Sequence, residues 1–299
     1  MRISHSWAVL LALLVAVQAW AADKPFLWTI DGGGAKPSYL FGSIHIPTPA
    51  VTNLAPSVER AFQGADAVFC ELAFDEPTLA KIAQASMSAK QPLSQALPPA
   101  LYARTEAEMR RVVPGFKLAS MERAEIWAVG CSLAMLEYQV RYPRVPPLDL
   151  LLYQRAQAAG KMTGGLETAA EQLAAMGGFT PAEQVDMLDA ALDDLEAMRR
   201  RGQSPVERLL TVYRSGDAAA VDREVNRSMA YCTPELQRRF EESLLAERNK
   251  KMAERIAAKV RASPDKSFLF VVGALHGLGK GSVVERLGQS GLKVGRAAP

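Results

Sequence analysis

The chain has 299 residues, of which 49% are hydrophobic and 22% are charged, and its formal net charge is +3. Disordered chains combine low hydrophobicity with high net charge, so this composition excludes a largely disordered protein. The length is sufficient to bury a substantial core, in one large domain or two modest ones. Lys and Arg are mixed with Asp and Glu along the chain, and without a basic face we expect no nucleic-acid partner.

Residues 1–21 have the features of a secretory signal peptide. Arg2 provides a positive charge, Ala8–Val17 is an unbroken apolar run, and Ala19-Trp20-Ala21 has the small-x-small cleavage pattern. A membrane anchor would need roughly 20 apolar residues, and this run is shorter. We therefore expect cleavage near Ala21, no membrane span in the mature chain, and a periplasmic or secreted protein.

The first predicted elements after the signal peptide belong to a sheet. Two strand-like segments, Phe26–Ile30 and Ser38–Ile44, flank a glycine-rich turn, which predicts a β-hairpin. A third strand is expected over Ala67–Leu72, after a loop with several prolines and a short helix. The pattern from about residue 77 to residue 160 is helical, with proline-containing interruptions.

The second half of the chain returns to strands after a further helical stretch. A short strand over Lys161–Leu166 precedes helices over about residues 169–260. Phe268–Val272 predicts a buried strand, which is followed by a helix near Ser282–Gln289 and a last strand over Leu292–Val294.

This order of elements predicts an α/β fold, because strands and helices alternate at both ends of the chain. The apolar strands lack alternation, as expected when helices cover both faces of a sheet. We expect one α/β domain over residues 22–299, with a small, mainly parallel sheet that includes the N-terminal hairpin. Helices would flank this sheet, and a large helical insertion would occupy about residues 77–160 and 169–260.

The chain contains three cysteines, Cys70, Cys131 and Cys232. An odd number leaves at least one thiol unpaired within the chain. Cys131 and Cys232 lie in predicted helices and could form a disulfide in an oxidising compartment. The sequence leaves this pairing open.

Two histidines remain once the signal peptide is removed, and both end a Gly-x-x-His motif. Gly42 begins the motif that ends at His45, and Gly273 begins the one that ends at His276. Each motif follows a short apolar run, at opposite ends of the mature chain. We expect each glycine to let the backbone turn tightly after its strand. Two unrelated structural histidines are the alternative interpretation.

Two glutamates also lie at the ends of predicted strands. Glu71 and Glu167, like His45 and His276, come at or just after the carboxyl end of a strand. Ligands bind at this edge of open α/β sheets, and imidazoles with carboxylates suit Zn, Fe or Mn. Each glutamate alone has a simpler interpretation, as a solvated carboxylate or a charge at a helix start.

A predicted helix over Pro234–Val260 carries Arg248 and Asn249. Arg248 belongs to an otherwise apolar i, i+4 row, so we expect it to meet a carboxylate or an anionic ligand. A side chain that covers the edge of the core is the alternative. The chain has no complete phosphate loop, G-x-S-x-G elbow, H-E-x-x-H helix or C-x-x-C pair.

These motifs together resemble those of the TraB/PrgY/GumN family, in order and spacing over nearly the whole mature chain. The matching segments are Leu40–His45, Cys70–Leu72, Gly165–Thr168 with Glu171-Gln172, Glu247–Asn249 and Val272–Gly277. That family is similar to the Tiki metalloproteases, which cleave an N-terminal segment from Wnt proteins with two Gly-x-x-His motifs, a Glu and a divalent metal. The wider group also resembles erythromycin esterases and ChaN haem-binding proteins, which have a parallel sheet flanked by helices.

The resemblance implies that His45, Glu71 and His276 are catalytic or metal-binding. Our hypothesis is an exported metal-dependent hydrolase, a peptidase acting on a peptide or protein. His45, His276 and Glu167 would bind the metal, which the resemblance suggests is Mn or Co, with Zn as a further option. The catalytic residues would be Glu71 as general base, Arg248 on the substrate carboxylate or oxyanion, and Asn249.

Two other functions use the same residues. One is a non-enzymatic protein that binds a peptide or a haem-like ligand at the strand ends. The other is a metal-free esterase in which His45 or His276 acts as the base.

Overall fold

The computed structural model describes residues 24–298, so the predicted signal peptide lies outside the described residues. Six strands form one sheet in the order β4-β3-β5-β2-β1-β6. The strands are β1 Leu27–Asp31, β2 Ser38–Ser43, β3 Ala67–Cys70, β4 Met162–Gly165, β5 Phe268–Gly273 and β6 Lys293–Arg296.

The sheet is mostly parallel, as the sequence predicts. Strands β4, β3, β5 and β2 run in one direction, whereas β1 is antiparallel to both β2 and β6. The N-terminal hairpin is therefore confirmed, and β6 extends the sheet beyond it. Because four neighbouring strands are parallel, their carboxyl ends lie along one edge.

Helices make up most of the remaining chain, and α3 to α7 and α8 to α13 occupy the two predicted helical stretches. They are α1 Pro49–Thr52, α2 Pro56–Gly64, α3 Glu76–Ser86, α4 Leu93–Ala96, α5 Pro99–Val112, α6 Ile126–Arg141, α7 Leu148–Ala158, α8 Ala169–Gly177, α9 Pro181–Arg200, α10 Pro205–Arg214, α11 Ala218–Met229, α12 Pro234–Phe240, α13 Glu247–Ala262 and α14 Val283–Gln289. A 3₁₀ turn covers Ala274–Gly277 directly after β5, and the π-helical segment Glu241–Ala246 joins α12 to α13.

The core lies on both sides of the sheet. Successive residues of a strand face opposite sides, and β5 shows how both are buried. Phe270 and Val272 pack on one side with Met252 and Ile256 of α13. Val271 packs on the other side within a cluster that α2 and α7 contribute to. Burial on both faces explains why these strands are apolar throughout.

The three cysteines, Cys70, Cys131 and Cys232, are free thiols in the structure. No helix within residues 24–298 combines the length and apolar character required to cross a lipid bilayer.

Candidate metal centre

The residues predicted from the strand ends meet at the carboxyl edge of the sheet. Glu71 directly follows β3, His45 lies two residues after β2, and His276 lies in the 3₁₀ turn after β5. Glu167 lies two residues after β4, where its backbone N–H donates to the carbonyl of Glu71 at 2.7 Å. The parallel arrangement of β4, β3, β5 and β2 therefore brings together residues that are up to 231 positions apart in the sequence (276 − 45).

The carboxylate of Glu71 lies at the centre of this cluster and is buried. Its Oε1 atom is 3.7 Å from Nε2 of His45 and 3.6 Å from Nε2 of His276. The backbone N–H of Gly273 donates to the same oxygen at 2.6 Å. The other oxygen, Oε2, accepts from Nη2 of Arg248 at 2.6 Å. Burial raises the pKa of Glu71, but the imidazoles, Arg248 and the Gly273 N–H outweigh it and lower this pKa to about 2.

The partners of His276 determine which ring nitrogen carries its proton. Nδ2 of Asn249 donates to the carbonyl of Gly281 at 3.1 Å, which orients the amide. Oδ1 of Asn249 then accepts from Nδ1 of His276 at 2.6 Å. Burial lowers the pKa of His276 to about 4, so the ring is neutral at pH 7. Its Nε2 lone pair therefore points at Glu71, which is also an acceptor.

His45 is oriented by Asp149, which the sequence analysis missed. Nδ1 of His45 is 3.0 Å from Oδ2 of Asp149 at the start of α7, and the His45 side chain is half exposed. Burial lowers the pKa of His45, but Asp149 and Glu71 outweigh it and raise the pKa to about 9. Pro147, two residues before Asp149, is the signal of a helix start, where a carboxylate has an ordinary explanation in the helix dipole.

Arg248 holds both glutamates. Its Nε and Nη2 atoms donate to the Glu167 carboxylate at 3.0 and 2.6 Å, while Nη2 also donates to Glu71. Its Nη1 atom donates to the carbonyl of Leu244 in the π-helical segment at 3.3 Å. Arg248 meets carboxylates, as expected, and the Glu167 side chain is fully buried against it. The structure thus places Glu167 on this guanidinium and Glu71 beside the imidazoles.

The two motif glycines differ from expectation. Neither Gly42 nor Gly273 has a positive φ angle, so a left-handed backbone is not the reason for glycine at these positions. A Cβ atom on Gly42 would lie 2.9 Å from Cβ of Phe26 and 3.0 Å from Cα of Ala274. A Cβ atom on Gly273 would lie 3.3 Å from both Glu71 Oε1 and His45 Nε2. Gly42 therefore allows close packing, whereas Gly273 keeps space open between the site residues.

The donor atoms have the chemistry of a metal site. As the side chains stand, no group of three or more His, Cys, Asp and Glu among residues 24–298 forms a metal centre. The pair distances of 3.6 and 3.7 Å nevertheless fit ligands of one cation, because two ligands about 2.1 Å from a metal lie roughly 3.0 to 3.8 Å apart. When both imidazoles are neutral, the two Nε2 lone pairs face the same carboxylate oxygen, and a cation that replaces the proton of His45 would satisfy all three. Asp149 and Asn249 supply the outer hydrogen bonds that metal-binding histidines usually make.

A cavity of about 660 Å³ opens next to these side chains. His45, Glu71, Arg248 and His276 lie along it together with Gly273. Most of its other lining residues are apolar and belong to the helices that cover the strand ends. The site is therefore accessible to a ligand of substantial size.

Comparison with known proteins gives the same relationship as the motifs. Metalloprotease TIKI2 of Danio rerio is 28% identical over 93% of this chain and 63% of its own length. Metalloprotease TIKI1 of Danio rerio is 27% identical over 90% of this chain and 62% of its own length. Metalloprotease TIKI1 of Homo sapiens is 26% identical over 91% of this chain and 62% of its own length.

The chain thus spans about three fifths of the length of these relatives. No solved structure matches it significantly. The model of the TraB/PrgY/gumN family matches residues 26–296, so the resemblance seen in the motifs is confirmed and the chain belongs to the TraB/PrgY/gumN family.

Proposed function

We propose that this protein is a metal-dependent hydrolase that cleaves peptides. The observation that carries the proposal is that His45 Nε2 and His276 Nε2 both lie within 3.7 Å of the same atom, Glu71 Oε1. The Nδ1 atoms of both rings are already bound by Asp149 and Asn249. The Nε2 atoms are therefore left for a ligand that accepts electron pairs.

His45, His276 and Glu71 would hold the metal. The sequence predicts Glu167 as the carboxylate ligand and Glu71 as the general base, and the geometry favours a different assignment. Glu71 faces both imidazoles, whereas Glu167 is bound to Arg248. A pKa of about 2 makes Glu71 a permanent anion at neutral pH. A general base works best with a pKa near the working pH, so Glu71 is better suited to metal binding than to proton transfer.

When bound at these residues, a divalent cation would lower the pKa of a coordinated water toward 7 and polarise a carbonyl group. Imidazole and carboxylate donors suit Zn, Mn and Co alike. Arg248 and Asn249 are positioning residues in this assignment, since Arg248 orients Glu71 and Asn249 sets the tautomer of His276. The guanidinium of Arg248 is committed to two carboxylates, so its role is to orient them rather than to bind a substrate carboxylate.

The relatives support the type of reaction. The proteins that match most of this chain are named metalloproteases, which favours a peptide or protein substrate. The N-terminal 21 residues favour export, so we propose a periplasmic or secreted enzyme that works after cleavage near Ala21.

The test combines metal content with peptide cleavage. Purified protein without its first 21 residues is loaded with Mn²⁺, Co²⁺ or Zn²⁺, dialysed, and assayed for bound metal and for digestion of a peptide library. We expect about one metal ion per chain, and cleavage that EDTA abolishes. His45→Ala and His276→Ala should lose the metal and at least 100-fold of the activity, since removing a second-sphere partner alone costs 10- to 100-fold.

Glu242→Gln is the matched control for Glu71→Gln, because Glu242 is exposed on the π-helical segment. Glu71→Gln should lose metal and activity, and Glu242→Gln should retain both. Unchanged metal content in both histidine variants would contradict the proposal. Cleavage of an ester substrate that resists EDTA would favour the metal-free esterase. Tight peptide or haem binding without turnover, retained in Glu71→Gln, would favour the binding protein.

A further inference from the structure

The cavity beside the candidate metal centre has two chemically different parts. The first lies at the strand ends and holds His45, Glu71 and His276. The second, which we call the apolar chamber, is formed by helices α10 and α11, the π-helical region and the 3₁₀ turn. It is lined by Val212, Val221, Val225, Phe240, Leu244 and Leu275.

The charged groups along the cavity are already paired within the protein. Glu224 on α11 accepts from Arg208 at 2.6 Å and from Arg227 at 2.7 Å. Arg248 is bound to two glutamates, and Asp149 is bound to His45. Among the described residues that line the cavity, no charged side chain is therefore left to bind the free carboxylate or free amine of a peptide end.

Two exposed residues of the cavity lining are apolar as well. Leu79 on α3 and Leu209 on α10 line the cavity, and they are 44% and 41% exposed. Leucines of this exposure are ordinary when they are scattered singly. Here both line the same cavity, so the cavity presents apolar surface to the solvent.

Two buried polar atoms mark the other part of the cavity. Oγ of Ser43 and Oδ1 of Asp149 have no hydrogen-bond partner, although both residues are at least nine-tenths buried and line the cavity. A buried polar atom without a partner costs free energy, typically about 1–3 kcal/mol. Both residues are close neighbours of His45, one in sequence and one in space. Both oxygens have almost no accessible surface, so neither is open to a ligand in the cavity.

Taken with the proposed hydrolase function, on which this inference rests, we propose that the enzyme is an endopeptidase that cuts beside a large uncharged apolar side chain. That side chain occupies the apolar chamber. Both ends of the substrate remain outside the cavity, because the charged side chains that line it are already paired within the protein. The volume of about 660 Å³ accommodates a Leu, Phe or Trp side chain together with the adjoining backbone.

The first arm of the test measures binding without catalysis. The uncharged fluorescent probe N-phenyl-1-naphthylamine is titrated into metal-free protein. Val225→Trp fills the apolar chamber and should weaken probe binding at least tenfold. Val140→Trp is the matched control, because Val140 lies on α6, is 50% exposed and does not line the cavity. His45→Ala should bind the probe as the wild type does.

The second arm measures hydrolysis in the metal-loaded enzyme. Peptides blocked at both ends differ only in one residue, which is Leu, Ala or Lys. We expect kcat/KM to be about tenfold or more higher for Leu than for Ala, and lower still for Lys. Val225→Trp should abolish the preference for Leu, and Val140→Trp should retain it.

Equal probe binding by Val225→Trp and the wild type would overturn the proposal. A preference for Lys over Leu, or for peptides with free ends over blocked ones, would also overturn it. Probe binding that only Val225→Trp loses, together with no cleavage of any peptide, would refute the proposed hydrolase but still support the apolar chamber as the ligand site.

Discussion

Arg248 is a single residue whose role depends on the two carboxylates that it positions. Arg248 is buried with two carboxylates, Glu71 and Glu167, both of which it contacts through Nη2. Removing one member of a buried ion cluster is costly because the remaining charges lose their compensation. Arg248 is therefore expected to affect stability as well as activity.

We expect Arg248→Met to lower the free energy of unfolding by about 3–5 kcal/mol, since it leaves two buried carboxylates unpaired. Adding Glu167→Gln should restore part of this loss by removing one of those charges. Urea unfolding at pH 7 measures both effects. Arg238→Met, at an exposed arginine on α12, should change little. A loss for Arg248→Met no larger than that for Arg238→Met would contradict the assignment.

Replacement by alanine should have different effects at the two motif glycines, Gly42 and Gly273. Gly42→Ala brings its new Cβ within 3.0 Å of a neighbouring backbone atom, so the melting temperature should fall by several degrees. Gly273→Ala directs its Cβ between Glu71 and His45, so metal content and activity should fall while the melting temperature changes less. Thermal melts and metal analysis of both variants are the measurements. Equal effects on metal content would argue against distinct roles.

The residues of the candidate metal centre could be predicted from the sequence because few histidines remain and both follow apolar strands. His45, Glu71 and His276 indeed meet at one edge. The contribution of Asp149 was not predictable, because a carboxylate at a helix start has an ordinary electrostatic explanation. The need for glycine at position 273 was not predictable either, because it depends on the side chains of His45 and Glu71, which follow β2 and β3.

At the scale of elements, the helices around the cavity are joined by buried ion pairs. Glu224 on α11 binds Arg208 on α10, and Arg227 links Glu224 to Asp194 on α9. These contacts hold α10 and α11, which line the apolar chamber, against each other and against α9. Burial raises the pKa of Glu224, but Arg227 and Arg208 outweigh it, so this pKa lies below its usual value of 4.5.

This shift gives a pH-dependent prediction. A carboxylate whose pKa is lower in the folded than in the unfolded protein stabilises the fold above the unfolded pKa, and the contribution disappears as the pH falls through the folded pKa. Glu224→Gln should therefore destabilise the protein by about 1–2 kcal/mol at pH 7, and by less below pH 4. Urea unfolding at both pH values tests this. A difference that grows in acid would contradict it.

The bounds of the last strand and the π-helical segment could not be predicted from the sequence. The last strand is predicted over Leu292–Val294 but runs over Lys293–Arg296 because it pairs with β1. The π-helical segment Glu241–Ala246 is not predictable either, since the same residues favour an ordinary α-helix. It lies between Phe240 and Arg248, and π-helical turns occur frequently at functional sites. Leu244 and Leu245 of this segment both line the cavity.

At the scale of the whole molecule, a metal bound only by the folded chain must stabilise it. At a free metal concentration 100 times Kd, this stabilisation is about 2.7 kcal/mol. We expect the melting temperature of the wild type to rise with Mn²⁺, Co²⁺ or Zn²⁺ and to return with EDTA. His276→Ala should show no such rise, because one of the three donors is absent. A rise equal to that of the wild type would show that the metal binds elsewhere.

The α/β class, the hairpin and the two helical stretches could be predicted because they depend on local pattern and on the order of elements. The order of strands in the sheet could not, since it depends on pairings between distant segments such as β2 with β5. The predicted cleavage near Ala21 concerns residues outside the described part of the chain and stays a prediction.

The central position of β5 has a consequence for biogenesis. This strand lies between β3 and β2, yet it is the fifth of six strands to leave the ribosome. A nascent chain therefore carries His45 and Glu71 long before Gly273 and His276 are synthesised. Until then the growing polypeptide has neither the middle of its sheet nor a complete set of donors, so the proposed metal site is absent until synthesis is nearly finished.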